Sequence, residues 1–217
     1  MIVKMKKQNN KIVVFDWGGV VESHKNGEYS WNYAIENLLK RFNSNLEGKN
    51  IVQKYLDIKI KVAEEKLENP SEESFRRIKE AFNLKCTIEE FNEAYPEELN
   101  KIEYYKDVVN FIHSLKKYCK IGILSSLDPK DKVRIDKQMN LKKFDYVWLS
   151  FELKCNKPNR EIYQIVEKDC GLEPKNILFV DDTEKNLEIP KERGWQVLHA
   201  NGHELEIIKR KVNEFLF

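Results

Sequence analysis

The sequence predicts an α/β fold: a parallel β-sheet with helices on both faces and an inserted α-helical subdomain. Three observations predict it. The short apolar runs Ile12-Val13-Val14-Phe15 and Ile177-Leu178-Phe179-Val180 each end on aspartate, the pattern of buried strands that deliver a side chain to a sheet edge. From Tyr105 onward strand-like and helix-like segments alternate, which argues for repeated βα units and a parallel sheet. Between about Val21 and Tyr104 only helical spacing is evident.

The elements follow in order. The first strand is expected over Lys11–Asp16, and the glycines Gly18 and Gly19 after it read as a turn with little side-chain bulk. Ser30–Phe42, Ile51–Leu67, Glu72–Phe82 and Glu89–Leu99 have helical spacing. Leu38, Leu39 and Phe42 share one face, and Pro96 is expected to distort the last helix. Ser71 before Glu72 and Glu73 reads as an N-cap hydroxyl ahead of two acids that suit the helix dipole, and Thr87–Glu90 matches a capping box. No strand is expected in this block. Then come a helix at Asp107–Tyr118, a strand at Ile121–Leu124, a helix at Lys130–Met139 and a strand at Tyr146–Leu149. Arg160–Cys170 is a helix with Pro158 near its first turn. Ile177–Val180 is a strand, and Glu184–Arg193 a helix ended by Gly194 and distorted by Pro190. Trp195–Leu198 and Glu204–Phe217 complete the series. The core is thus expected over 1–20 and 105–217, with the helical insertion over 21–104.

At 217 residues the chain can bury one ample core with a smaller insertion. Charged residues make up 34% of it, yet acids and bases are interspersed and the net charge is +2, so the whole-chain balance gives no case for a nucleic-acid partner. Lys4, Lys6, Lys7 and Lys11 resemble a secretory n-region only superficially, because the apolar run after them is short and ends in Asp16. No run approaches the ~18 apolar residues of a membrane span, so no membrane partner and a cytoplasmic location are expected. Cys86, Cys119, Cys155 and Cys170 have no C-x-x-C spacing and read as reduced thiols. A monomer or homodimer is expected.

Asp16, Asp181 and Asp182 all sit at strand ends. Three converging carboxylates repel one another, and the usual remedy is a hard divalent cation such as Mg²⁺. At this point the chain resembles the haloacid dehalogenase-like superfamily of phosphohydrolases. Four motifs carry the resemblance: Phe15-Asp16-Trp17-Gly18-Gly19-Val20, Ile121-Gly122-Ile123-Leu124-Ser125-Ser126, Lys157-Pro158, and Val180-Asp181-Asp182-Thr183-Glu184-Lys185-Asn186. The helical insertion after the first motif resembles the branch with a small α-helical cap. The first motif is similar to the Phe-Asp-x-Gly-Gly/Asn-Val branch that includes sugar-phosphate phosphatases.

The resemblance implies a Rossmann-like core with the first and fourth motif strands side by side, and a cap that closes over the site and selects substrate. It implies Asp16 as a nucleophile that forms an aspartyl-phosphate, and Ser125 as a donor to a phosphoryl oxygen, with Ser126 as a second. Lys157 would neutralise charge on the phosphoryl group and on Asp16. Trp17 stands among the substrate contacts. Asp16, Asp182 and the backbone carbonyl of Gly18 would hold Mg²⁺, Asp181 would act directly or through water, and Asn186 would orient them. The chain departs from the family at Gly18, where most phosphatase members carry an aspartate that protonates the leaving group, a service worth ~10²–10⁴ in rate. Three outcomes are open: a substrate with a good leaving group, a substitute acid among Glu22, Ser23 and His24, or a weak catalyst that mainly binds. His113, His199 and His203 read as structural or surface residues, Trp31, Tyr33 and Phe42 as cap packing, and Arg76 and Arg77 as a solvated face.

The expected reaction is Mg²⁺-dependent hydrolysis of a small phosphorylated metabolite, a phosphomonoester such as a sugar phosphate. One rival is a metal-independent 2-haloacid dehalogenase, in which the same aspartate attacks carbon; the Asp181-Asp182 pair favours phosphate. The other is a phosphate-ester-binding or regulatory protein, supported by Gly18 alone.

Overall fold

In the computed structural model of the chain, residues 10–25, 28–48, 50–65, 67–127 and 129–217 are described. The chain divides into two compact units. One runs to His24 and resumes over Glu103–Phe217; the other is Lys25–Ile102.

The first unit begins with β1 (Ile12–Phe15). Two strands of two residues follow and pair with each other: β2 (His24–Lys25), at the boundary between the units, and β3 (Glu28–Tyr29), in the second. They correct the expectation that this stretch holds no strand: at two residues each they are too short for any apolar alternation to register.

The second unit is built from α1 (Ser30–Phe42), α2 (Ile51–Glu64), α3 (Pro70–Phe82) and α4 (Ile88–Leu99). Its core gathers Ile35, Leu38, Leu39, Phe82, Phe91 and Leu99, with Trp31 and Phe42 packed against it. The capping box at α4 forms as expected, Glu90 N–H donating to Thr87 Oγ1 at 3.2 Å and Thr87 N–H to Glu90 Oε2 at 2.7 Å. At α3 the cap position is Asn69 rather than Ser71, because Pro70 already occupies the first helical turn, where its missing N–H costs nothing. Pro96 lies inside α4 without ending it; Phe91, Ala94, Tyr95 and Leu99 are buried from the same helix, and their burial outweighs the lost bond. Arg76 pairs with Glu73 and Glu80, and Arg77 with Glu73 and Glu65.

The first unit resumes with α5 (Lys106–Ser114), a single 3-10 turn, β4 (Lys120–Ser125), α6 (Pro129–Met139), β5 (Tyr146–Leu149) and the short α7 (Ser150–Leu153). It continues through α8 (Arg160–Cys170), β6 (Ile177–Asp181), α9 (Lys185–Glu192), β7 (Gln196–His199) and α10 (Leu205–Leu216). Among the described residues the main sheet has five strands in the order β5-β4-β1-β6-β7, and every neighbouring pair is parallel. Side chains alternate across it. Val13, Phe15, Ile121, Ile123, Leu178 and Val180 pack on α5, α6 and α10, while Ile12, Val14, Ile177 and Phe179 pack on α8 and α9. A sheet covered on both faces explains why its strands read as unbroken apolar runs. Pro190 sits within α9, held by burial with Leu187. No helix among the described residues is long and apolar enough to cross a membrane. All four cysteines are buried and free.

Register sets the site. Phe15 of β1 is level with Ile123 of β4 and Val180 of β6. The next residues along these strands, Asp16, Leu124 and Asp181, therefore stand side by side at the carboxyl edge of the sheet, where α/β proteins assemble their sites.

Candidate active site

Asp16 leaves β1 still tied to the sheet, its N–H donating to Val180 O at 2.8 Å. The backbone then folds back on itself. Trp17 N–H donates to Asp16 Oδ1 at 2.6 Å, and Trp17 O accepts from the N–H groups of Val21 and Glu22, each at 2.9 Å. Gly18 O accepts from Val20 N–H at 2.7 Å. Gly19 is essential to this turn on two counts. Its φ is +68°, a conformation L side chains rarely adopt, and a Cβ there would lie 2.0 Å from Asp182 Oδ2. The turn is thus pressed against the second of the two tandem aspartates. Gly202 supports it from behind, donating its N–H to Gly19 O at 2.9 Å.

The other two acids come from the end of β6. Asp181 is wholly buried and its carboxylate is well bonded. It accepts from Thr183 N–H at 2.8 Å, from Asn186 Nδ2 at 3.1 Å to each oxygen, and from Lys157 Nζ at 2.7 Å. Asn186 is itself held, its carbonyl accepting the Tyr163 hydroxyl at 2.7 Å. Lys157 also lies 2.8 Å from Asp16 Oδ1, and its side chain is 3% exposed. One ammonium therefore bridges the aspartate of β1 and the aspartate of β6. Oxygens of Asp16, Asp181 and Asp182 all lie within 4.8 Å of one another.

The electrostatics follow from this crowding. Burial pushes the Asp16 carboxyl up to about 7; Lys157 opposes that shift and the Asp181 charge adds to it. Burial and then repulsion from Asp181 push Asp182 up to about 6. Burial works to lower the Lys157 pKa, but Asp16 and Asp181 outweigh it and hold the ammonium above its ordinary value. Three acids share one lysine, so the acidic groups outnumber the cation that balances them. Hard oxygen donors with unbalanced negative charge are the donor set of a divalent cation such as Mg²⁺, and these residues fit one.

A carboxyl whose native pKa lies above its unfolded value binds more protons in the native state, so stability falls as pH rises through the interval between the two. For Asp16 and Asp182 that interval runs from the ordinary 3.8 to about 7 and about 6. In a chelating buffer the melting temperature is expected to fall from pH 5 to pH 8, and the Asp16→Asn variant to show a shallower fall. A wild-type profile that is flat or rising across that window would contradict the charge crowding.

The remaining sequence candidates distribute as follows. Ser125 ends β4 and is buried at the same sheet edge; Ser126 after it is exposed. Trp17 requires a correction. Its indole is wholly buried in the apolar core with Val20, Val21 and Val108, so the side chain is a packing residue and not a substrate contact. Only its backbone N–H faces the Asp16 carboxylate. Glu22 also departs from expectation. It is completely buried and ion-paired with Arg134 at 2.5 Å, so the carboxyl that was to stand in as an acid is engaged by a guanidinium and shut off from solvent. The side chain of His24 lies outside the described residues. His199, read as a bland residue, contacts the site through its Nε2, 2.9 Å from Asp182 O. The available signal was its place at the end of the apolar run Val197-Leu198; that it is level with Asp181 is set by the sheet register.

Comparison with known proteins gives the family and the fold. Residues 31–200 match the family model of haloacid dehalogenase-like hydrolases, a span that holds Ser125, Lys157, Asp181, Asp182 and Asn186 but begins after Asp16. The chain is 25% identical over 194 residues to a D-ribitol-5-phosphate phosphatase of Bacteroides thetaiotaomicron, covering 86% of this chain and 89% of that one. It is 23% identical over 145 residues to a phosphorylated carbohydrates phosphatase of Thermotoga maritima, covering 63% and 66%. A haloacid dehalogenase family enzyme of Bacteroides thetaiotaomicron, solved in complex with magnesium and inorganic phosphate, superposes with a TM-score of 0.68 at 20% identity, over 88% of this chain and 94% of that one.

Proposed function

The chain belongs to the haloacid dehalogenase-like hydrolase family, and on that premise we propose that it hydrolyses small phosphomonoesters, sugar phosphates among them, through an aspartyl-phosphate on Asp16. The observation that carries this reading is the meeting of Asp16, Asp181 and Asp182 around the buried ammonium of Lys157. The relatives named as phosphatases of ribitol 5-phosphate and of phosphorylated carbohydrates support the choice of substrate class.

In the first step a carboxylate oxygen of Asp16 attacks phosphorus, and the bond from phosphorus to the ester oxygen breaks. Lys157 balances the charge of Asp16 and of the incoming phosphoryl group from a fixed position, so little reorganisation is needed as charge moves. Ser125 supplies a hydroxyl donor to a phosphoryl oxygen. In the second step water attacks the phosphorus of the acyl phosphate, Asp16 is regenerated and inorganic phosphate leaves. Asp16, Asp182 and the carbonyl of Gly18 would hold Mg²⁺, with Asp181 and Asn186 orienting that set; when bound, the ion neutralises phosphoryl charge. Gly18 offers no side chain to protonate the leaving oxygen, and Glu22 is committed to Arg134. Esters whose leaving group needs little protonation are therefore the favoured substrates.

The test is phosphate release from p-nitrophenyl phosphate, a sugar 1-phosphate and a sugar 6-phosphate, with Mg²⁺ and with EDTA. Release that needs Mg²⁺ is expected, with the sugar 1-phosphate turning over faster than the 6-phosphate. Halide release from a 2-haloacid in EDTA, with no phosphatase activity, would overturn the assignment. Gly19→Ala gives a second check. Because the added methyl displaces Asp182, Mg²⁺ activation is expected to weaken by roughly 10–100-fold. An alanine variant with wild-type Mg²⁺ dependence would show that the turn does not set the position of Asp182.

A further inference from the structure

Behind the turn that carries Gly18 and Gly19 lies a second group of buried charges that the proposed reaction does not use. Glu22 is 0% exposed and its Oε1 lies 2.5 Å from Nη2 of Arg134, whose side chain is 5% exposed. The same Nη2 lies 3.5 Å from Oδ1 of Asp131, one turn earlier on α6 and also buried. Asp131 stands in the first turn of α6, where the helix dipole favours a carboxylate.

Glu22 closes the turn that begins at the nucleophile. Its N–H and that of Val21 both donate to Trp17 O. Its backbone is bridged in antiparallel fashion to Tyr104, Ser23 N–H donates to Glu103 O at 3.0 Å, and Tyr105 N–H donates to Val21 O at 2.9 Å. Arg134 belongs to the helix that follows β4 and Ser125. The ion pair therefore links the segment after Asp16 to the segment after Ser125, the two sheet-edge segments between which a phosphoryl group would have to sit.

A buried ion pair is a poor source of net stability, since desolvation of both charges offsets most of their attraction. An apolar residue at position 22 would join Trp17, Val20 and Val21, its buried neighbours in the chain, at less cost. What the pair adds is a tie, because either segment that moved away would leave a buried charge without its counter-ion, which is strongly unfavourable.

We propose that the Glu22–Arg134 pair, steadied by Asp131, is a positioning device that holds the 17–22 turn in register, so that the Asp16 carboxylate and the Gly18 carbonyl stay aligned with Asp182 and Ser125. This inference rests on the phosphatase reading above. Glu22 and Arg134 are positioning residues and touch neither substrate nor phosphate.

The test compares Glu22→Gln, Arg134→Met and the double variant Glu22→Met/Arg134→Met with wild type. The double variant guards against simple unfolding, because removing both buried charges avoids leaving one of them unpaired. Three quantities are read: kcat and KM on p-nitrophenyl phosphate, Mg²⁺ binding by calorimetry, and amide exchange of Val20, Val21 and Glu22 in the metal-free protein. A misplacement of the reacting groups is expected to lower kcat by roughly 10–100-fold with KM within about threefold. Mg²⁺ binding is expected to weaken by about tenfold and the turn amides to exchange faster. A folded double variant with wild-type kcat, Mg²⁺ affinity and exchange would overturn the proposal. If wild type hydrolyses no ester but the variants still lose Mg²⁺ affinity and amide protection, the phosphatase reading falls and the positioning role stands. If wild type is active and the variants lose only melting temperature, the positioning role falls and the phosphatase reading stands.

Discussion

Asp16→Asn is expected to abolish turnover, with a loss on the order of 10⁴ or more, while leaving the fold intact. An amide of the same shape keeps the hydrogen bond from Trp17 N–H but has no anionic oxygen with which to attack phosphorus. The variant is also expected to be more stable than wild type at pH 8 in the absence of metal. Burial holds the Asp16 carboxyl up at about 7, so at pH 8 wild type carries a buried negative charge beside Asp181 and Asp182 that the amide removes. Lys157 keeps Asp181 as a partner at 2.7 Å, so the substitution strands no cation. At pH 5 the advantage should vanish, because wild type is then already protonated at Asp16. Activity assays with thermal melts at both pH values check this. An Asn variant with full rate would falsify Asp16 as nucleophile. A variant that is inactive but less stable at pH 8 would show that the Asp16 charge is paired to net advantage, contrary to the crowding described above.

Lys157→Met should produce the opposite stability signature together with a comparable failure of catalysis. The methionine fills much of the same volume but leaves Asp16 and Asp181 without the ammonium that lies 2.8 and 2.7 Å from them. Loss of one partner of a buried charge pair costs about 3–5 kcal/mol, which for a chain of this size is a fall in Tm of roughly 10 °C. The sign with pH is fixed by the carboxylates. At pH 5 Asp16 is protonated and the missing cation matters less; at pH 8 it is charged and the loss matters most. The destabilisation should therefore grow as pH rises. Catalysis should fall by at least ~10²–10³, the cost of removing one preorganised electrostatic contact to the reacting group. An equal loss of stability at both pH values would show that Lys157 contributes packing rather than charge. Full activity would remove it from the proposed machinery.

The two variants bear on side chains that were both legible in the sequence, and the reason is local. A buried parallel strand reads as a short apolar run, and the residue that ends it reaches the sheet edge whatever the rest of the chain does. Asp16, Asp181 and Asp182 could be nominated on that basis, and Ser125, Asn186 and Lys157 through the resemblance their surroundings carried. Helix extents were legible for the same kind of reason. The periodicity of Ser30–Phe42 and Arg160–Cys170 coincides with α1 and α8. Local signals failed where distant packing overrode them. Pro96 and Pro190 remain inside α4 and α9 because burial of those helices exceeds the cost of one missing bond.

By itself, then, the sequence determined the α/β class, the strands of the main sheet, the order of the motifs and the residues that stand at the strand ends. These depend on patterns within a few residues. Only the tertiary structure decided that Lys157 bridges two aspartates from different strands, that Gly19 leaves room for Asp182, that the Trp17 indole turns into the core, and that Glu22 meets Arg134 rather than serving as an acid. Each of these joins residues far apart in the chain or depends on which way a side chain leaves a turn. A one-dimensional pattern carries neither, because both are set by the register of parallel strands and by the packing of helices against them.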